Sequence, residues 1–400
     1  MENIRTIIAL AATLIPTLLG TTATAQEEAE ESSTLGYVIG QIQQRNAELK
    51  AIRGEADAAK AEAKASAALP DPEVSFGYLW YGRKDISVSQ SFDWATITGR
   101  RRASTQEADT LAELTYEASY NAIITKAAKA YINTVRANAT IQLINAKLRA
   151  AETMAHLTRR RLDAGAARRD EAMATQMAQT KARAELTRAQ AERDEQLAII
   201  AALNGGVPIE VADTAFTAEE EFGGDFESWY AAIKPFILSE KIAEAQTHMA
   251  EAQQSIARAT AFPSISLGYM GEFTPADHYE GVTIGLTVPL WSARHRKSQT
   301  TQAAQAARYR ETATRQQSRA ILQAAFEKAM MLGRIATEMR EDLEETDSRD
   351  LATRALERGE ISAAEAIMAN NLYYDTAIEA INAEAEFRTA TLELNALVGG

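Results

Sequence analysis

The sequence predicts a mainly α-helical fold with a small β part, in which long coiled-coil helices carry two hairpins and one plan occurs twice. Three observations predict it. The stretch "PEVSFGYLWYGRKDISVSQSFDW" (72–94) alternates apolar and polar residues, and so does a second stretch from residue 263 onward. No proline falls between Pro72 and Pro208 or after Pro289, so the long segments can run as uninterrupted helices. Matching segments also recur in the same order in the two halves, which reads as an internal duplication.

The first element is an export signal, residues 1–25. Ile7 to Gly20 is an apolar run too short to span a bilayer, and Ala23-Thr24-Ala25 supplies a small-x-small cleavage pattern before Gln26. No later stretch reaches ~18 consecutive apolar residues, so no transmembrane helix is expected.

Residues 26–206 form the first repeat: helix, hairpin, long helix, tip turn, shorter helix. Its strands are expected at about 72–81 and 85–94, with Val74, Phe76, Tyr78 and Trp80 on one face, then Ile86, Val88 and Phe92. The helix over about 95–161 would be about 100 Å long at ~1.5 Å per residue. A returning helix over about 167–203 covers half that length and stops at Asn204-Gly205-Gly206, a C-cap signal. A linker, 207–225, sits at mid-height. The second repeat, 226–400, opens with a half-length helix to about 261, followed by strands at about 263–273 and 281–290. Ser75, Gly77 and Tyr78 match Ser266, Gly268 and Tyr269 at a constant offset, and "RRLDAG" (160–165) parallels "RALERG" (354–359). The spacing from Gly165 to Gly206 equals that from Gly359 to Gly400. Ile367, Tyr374 and Ile381 show the heptad of a coiled coil. The hairpins belong at one end of a rod and the tip turns at the other.

Each strand is long enough to cross a bilayer at a tilt. An apolar face covering a soluble core is the competing reading, but the long helices have few large apolar side chains to cover. Aromatic residues make up only 6% of the chain, and the abundant alanine suits close helix packing instead. Trp80 and Tyr81 at one end of the hairpins, with Trp94 and Trp291 at the other, read as interfacial belts. The greasy face is therefore expected to touch lipid. Four strands cannot close a membrane barrel, so other copies must complete it: two would give eight strands, three would give twelve.

Several functions are excluded by inventory. A net charge of −13 argues against nucleic acid. There is no cysteine, and His156, His248, His278 and His295 are scattered, so no metal site is expected. No phosphate-cradling loop or serine elbow occurs, so no enzyme and no cofactor are expected. Met173 and Met177 share a helix face, a pattern that is more often core packing than soft-metal binding.

The "NAEL" at 46–49, the L-x-x-G tip turns at Leu162–Gly165 and Leu356–Gly359, and the "ALNGG" and "ALVGG" endings resemble the TolC-type outer-membrane efflux family, within it the CzcC-like heavy-metal branch. The resemblance covers essentially the whole mature chain. It implies a homotrimer whose helices form an α-barrel crossing the periplasm and whose strands complete a twelve-strand β-barrel. It further implies a Gram-negative outer-membrane location, a periplasmic adaptor (membrane fusion) protein and an inner-membrane RND-type pump. The chain would then be a passive exit duct for metal ions or toxic compounds. Lacking cysteine, it would not carry the lipid anchor of many metal-efflux members.

By the same resemblance, Arg161, Leu162, Gly165, Leu356, Arg358 and Gly359 would dock the adaptor, and Glu171 and Glu365 would line the aperture. An ordinary solvated first-turn glutamate is the competing reading for the last two. The rival for the whole chain is a periplasmic coiled-coil adaptor or scaffold of an export system. Adaptors usually carry one helical hairpin flanked by compact β domains, and detergent dependence separates the two readings.

Overall fold

The computed structural model describes residues 35–216, 223–345 and 351–399. The predicted signal peptide and the first residues of the first repeat lie outside the described residues.

The chain opens with α1 (Leu35–Arg45) and α2 (Ala47–Ala67), two helices where the sequence suggests one. Asn46 separates them. Its side-chain oxygen accepts from the Leu49 N–H at 2.9 Å, an N-cap, while its amide donates to the Leu203 carbonyl at 2.8 Å. A hairpin of β1 (Glu73–Leu79) and β2 (Arg83–Phe92) follows, joined by a short turn at Trp80–Gly82. The long helix is also divided: α3 (Trp94–Ile97) is one turn capped by Asp93, and α4 (Arg100–Asp163) starts after Gly99, at φ 71°. α5 (Arg169–Leu203) returns along α4.

The second half runs in the same order. The expected helix from 226 to about 261 is broken at Pro235 into α6 (Phe226–Ile233), a 3-10 turn at Lys234–Phe236, and α7 (Leu238–Ala259). Proline lacks the N–H that a continuous helix needs and clashes with the preceding turn. β3 (Ser264–Phe273) and β4 (His278–Thr287) precede α8 (Ser292–Glu345), α9 (Leu351–Arg358) and α10 (Ala363–Val398). β4 begins and ends about three residues earlier than the sequence suggests; Pro289, lacking an N–H, falls beyond it.

The four strands make one antiparallel sheet in the order β1-β2-β3-β4, so β1 and β4 are its outer strands. Beyond the sheet the helices form a single layer. Near the strands the packing order is α2, α4, α7, α8; farther away it is α5, α4, α10, α8. α4 stays in the middle throughout. Its buried residues are mostly small, among them Ala127, Ala130, Thr134, Ala137 and Ala151, which lets its neighbours approach closely.

Half-length helices meet end to end at mid-height. The end of α5 reaches Asn46, and Gly399 after α10 lies against Phe236 and Leu238. Asn138 of α4 donates to the carbonyls of Val211 and Asp213, and the Tyr131 hydroxyl donates to the Asp213 carboxylate at 2.6 Å. The larger apolar side chains gather at this level: Val38, Ile42, Ile200, Leu203 and Val211 on one side, Tyr230, Phe326 and Leu394 on the other.

Candidate functional site: membrane face and helical tip

The sheet register lines up the apolar residues that alternation selects. Val74 faces Val88, Val88 faces Tyr269 and Tyr269 faces Val282; likewise Ile265 faces Leu286 and Leu267 faces Ile284. No described part of the chain covers this face. Val282 is 72% exposed and Ile284 78%, values normal for a surface lysine and costly for a branched aliphatic side chain in water. Gln90 interrupts the face, and its amide donates to the carbonyls of Pro70 and Ser91.

The opposite face is mostly polar, with Leu79 and Met270 as its larger apolar members. The Ser75 and Ser87 hydroxyls are 2.7 Å apart, and Arg83 pairs with Asp85 and Glu272 at 3.1 and 2.9 Å. Gly268 is required where it stands, because a Cβ there would lie 2.7 Å from the Val88 carbonyl oxygen. Trp80 is 90% exposed in the turn between β1 and β2, and the backbone of Tyr81 belongs to the same turn rather than to a strand. Trp291, 83% exposed, and Trp94 mark the helical end of the sheet.

The other end of the molecule holds two reversals of identical design. The N–H groups of Gly165 and Ala166 donate to the carbonyls of Leu162 and Arg161; those of Gly359 and Glu360 donate to Leu356 and Ala355. This double bond across a left-handed residue is a Schellman motif, and both glycines sit near φ 72°. Arg161 donates to the Leu356 carbonyl at 3.4 Å, joining the two tips. Leu356 itself is 1% exposed, packed with Met154, Ala363 and Ala366. It supports the tip from inside, whereas Gly165, Arg358 and Gly359 are exposed.

Glu365 completes a capping box: its carboxylate accepts from the Ser362 N–H at 2.7 Å while the Ser362 hydroxyl accepts from the Glu365 N–H. The hydrogen bond from the Ser362 backbone holds this carboxyl below the usual glutamate range. Glu171 occupies the same third position in α5, half-buried; Arg168 beside it pairs with Asp170 at 2.7 Å rather than with Glu171.

Between tip and mid-height, Lys147 is buried at the junction of three helices, its side chain 2% exposed. Its ammonium lies 2.9 Å from Glu185 on α5 and 2.8 Å from Asp375 on α10. Burial alone would lower its pKa, but the hydrogen bonds to Asp375 and Glu185 outweigh burial and hold it above the ordinary lysine value.

With this geometry the chain superposes on solved outer-membrane proteins over nearly its full length. A membrane protein from Pseudomonas aeruginosa shares 17% identity, with a TM-score of 0.75 over 91% of this chain and 93% of that one. The outer-membrane channel CmeC of Campylobacter jejuni gives 12% and 0.74 over 97% and 90%. The open-state outer-membrane channel MtrE of Neisseria gonorrhoeae gives 17% and 0.74 over 92% and 89%. The fold is TolC-like. No family model matches the chain, and no curated protein matches it in sequence.

A TolC-like chain places the predicted residues at two separate ends: the aromatics around the sheet and the glycines, arginines and glutamates at the helical tip. Lys147 lies in neither group. Its heptad spacing with Ile144, Ala151 and Met154 is the sequence signal that marks it as buried. Met173 and Met177 depart from the core-packing expectation, since both are exposed on α5.

Proposed function

We propose that this chain is the outer-membrane channel of a tripartite efflux system, a passive duct through which an inner-membrane pump and a periplasmic adaptor discharge their cargo. The observation that carries the reading is the bare apolar face on a sheet with two open edges, mounted at one end of a single helical layer. Open strand edges are not tolerated in hydrocarbon, so β1 of one copy must pair with β4 of the next. Two copies would give eight strands, a barrel filled by its own side chains; three give twelve, with room for a wet, Ser- and Gly-lined lumen. The helical layer then closes too, α2 and α5 of one copy against α8 of its neighbour, which would bring Met173 and Met177 toward a partner surface. The likeness of fold to CmeC and MtrE, both outer-membrane channels, supports this reading. So does the repetition of one element order in both halves.

An adaptor would offer one helical hairpin between compact β domains, whereas the described residues here hold two helical hairpins and one sheet. No described helix is long and apolar enough to cross a membrane, so the strands carry any crossing. The exposed tip residues Gly165, Arg358 and Gly359, with the half-buried Arg161, would meet the adaptor, and Glu171 and Glu365 would stand at the aperture. The CzcC-like resemblance makes heavy-metal cations, delivered by an RND-type pump, the first cargo to test; organic toxicants are the second. Purified protein added to planar bilayers should give stepwise ion conductance. Insertion without conductance would contradict the reading.

A further inference from the structure

We propose that the first two turns of α8 bind the phosphate headgroups of anionic phospholipid in the periplasmic leaflet, an assignment that rests on the membrane reading above. Arg294, His295, Arg296 and Lys297 are consecutive and exposed, and they follow directly on Trp291 and the last residues of the strand segment. That puts them just past the end of the apolar face, the depth at which headgroup phosphates lie. Arg258 joins them. The antiparallel register that bonds Gln254 to Thr301 at 3.0 Å and Glu251 to Arg308 brings Arg258, exposed near the end of α7, to the level of Lys297.

The α8 cations stand where helix electrostatics disfavours them, whereas Arg258 lies in the last turn of α7, the end that favours a cation. The N-terminus is the positive end of a helix, and the first turn of α8 carries no acidic residue. No carboxylate occurs between Glu280 and Glu311, although the chain as a whole carries −13. Lower on the same helix arginines hold glutamates: Arg308 with Glu251 at 2.6 Å, Arg315 with Glu311 at 2.8 Å, Arg319 with Glu227 at 2.6 Å. Among the described residues, Arg258, Arg294, Arg296 and Lys297 form no ion pair. The corresponding crossing in the first half is partly satisfied within the chain: Arg100 donates to the Ser255 carbonyl and Arg101 pairs with Asp93, while Arg102 is exposed. Unpaired cations at a helix N-terminus, beside an exposed tryptophan and an apolar sheet, complement a surface of phosphate anions. The competing occupant is protein: exposed Asp71 and Glu73 at the start of β1 in a neighbouring copy.

The test is lipid binding by the full chain in neutral detergent, read by native mass spectrometry while phosphatidylglycerol or phosphatidylcholine is titrated. Wild type should hold phosphatidylglycerol about tenfold more tightly. R294Q/R296Q/K297Q should bind the two lipids equally, and R294K/R296K should keep the preference. Inorganic phosphate should not displace the lipid; displacement would assign the site to the free anion and overturn the headgroup assignment. Equal binding of both lipids by wild type, or a preference surviving in the triple variant, also overturns it while leaving the membrane reading intact. Oligomers that fall apart in the triple variant would assign the cations to Asp71 and Glu73 of a neighbouring copy. A chain that binds neither lipid and stays soluble without detergent overturns the membrane reading itself.

Discussion

Lys147 and Asp375 tie the two halves of the chain together: the ammonium on α4 lies 2.8 Å from the carboxylate on α10, with Glu185 of α5 completing the cluster. The bond crosses between the two hairpins that end at the tip, so it fixes how one hairpin sits against the other.

Replacing Lys147 with Ala should cost about 2–4 kcal/mol, because it leaves the half-buried Glu185 with only the longer contact to Lys181 at 3.6 Å and opens a cavity. The cost stays below that of a fully buried pair because Asp375 is more than half exposed and water can solvate it. Lys147→Met, which keeps the volume, should cost less than about half as much. Denaturant unfolding followed by helical circular dichroism measures both. Equal losses would mean that volume at this position contributes nothing and that the ion pairs carry the whole effect. The raised pKa also fixes a sign: the contribution is fully present below the unfolded lysine pKa and fades as pH rises through the folded value.

On the sheet, Ile284→Arg should cost roughly 2–4 kcal/mol of membrane stability, since it places a charge at mid-strand on the apolar face. Thr283→Arg, one residue away on the polar face, should be much milder. The yield of heat-resistant oligomer in membranes compares them. Equal yields would mean that this face does not meet lipid.

At the tip, Gly359→Val should abolish adaptor capture while leaving oligomers in the membrane. A β-branched residue is strained at φ 73° whatever the space around it, and the Schellman bonds depend on that conformation. Glu365→Gln is the complementary probe. Glutamine also completes a capping box, so assembly should hold while the charge disappears. Cation selectivity of single channels should fall; unchanged selectivity would leave Glu365 as a helix cap only. The cap's electrostatic share has a defined sign as well: the lowered carboxyl contributes above the unfolded glutamate pKa, and the contribution is lost as pH falls through the folded value.

Glu240 in the first turn of α7 is buried, and its Oε1 has no hydrogen-bond partner. Burial raises its pKa, against the pull of Arg315 and Lys234. A raised carboxyl favours the fold below the unfolded pKa and loses that contribution as pH rises through the folded value. Glu240→Gln should therefore stabilise the chain at pH 7, on the order of 1 kcal/mol. The gain should shrink below about pH 4.5. Thermal unfolding at the two pH values checks this, and a destabilised variant at pH 7 would contradict it.

Much of this architecture is legible in the sequence because its elements are long and periodic. The strands announce themselves through Val74, Phe76, Tyr78 and their counterparts, and the tip turns through Gly165 and Gly359, where a left-handed residue is required. The interruptions are harder to read. Pro235 is a visible helix breaker, but it lies inside a stretch whose apolar pattern continues on both sides. Asn46 breaks α1 from α2 because its amide serves the end of α5, more than 150 residues away, a tertiary cause that local propensity cannot carry. Gln90 sits within an apolar row because its amide finds backbone carbonyls at the sheet margin. Lys147 occupies a heptad core position and becomes intelligible only when Glu185 and Asp375 arrive from two other helices. Met173 and Met177 face outward from a single copy, which periodicity along one helix does not distinguish from facing a core.

On the proposed reading, this chain closes its sheet and its helical layer only with copies of itself in a membrane. The mass of the purified protein in detergent, by light scattering or native mass spectrometry, tests that most directly. Three copies are expected, with aggregation or precipitation when detergent is removed. A stable monomer that stays in solution without detergent would contradict it.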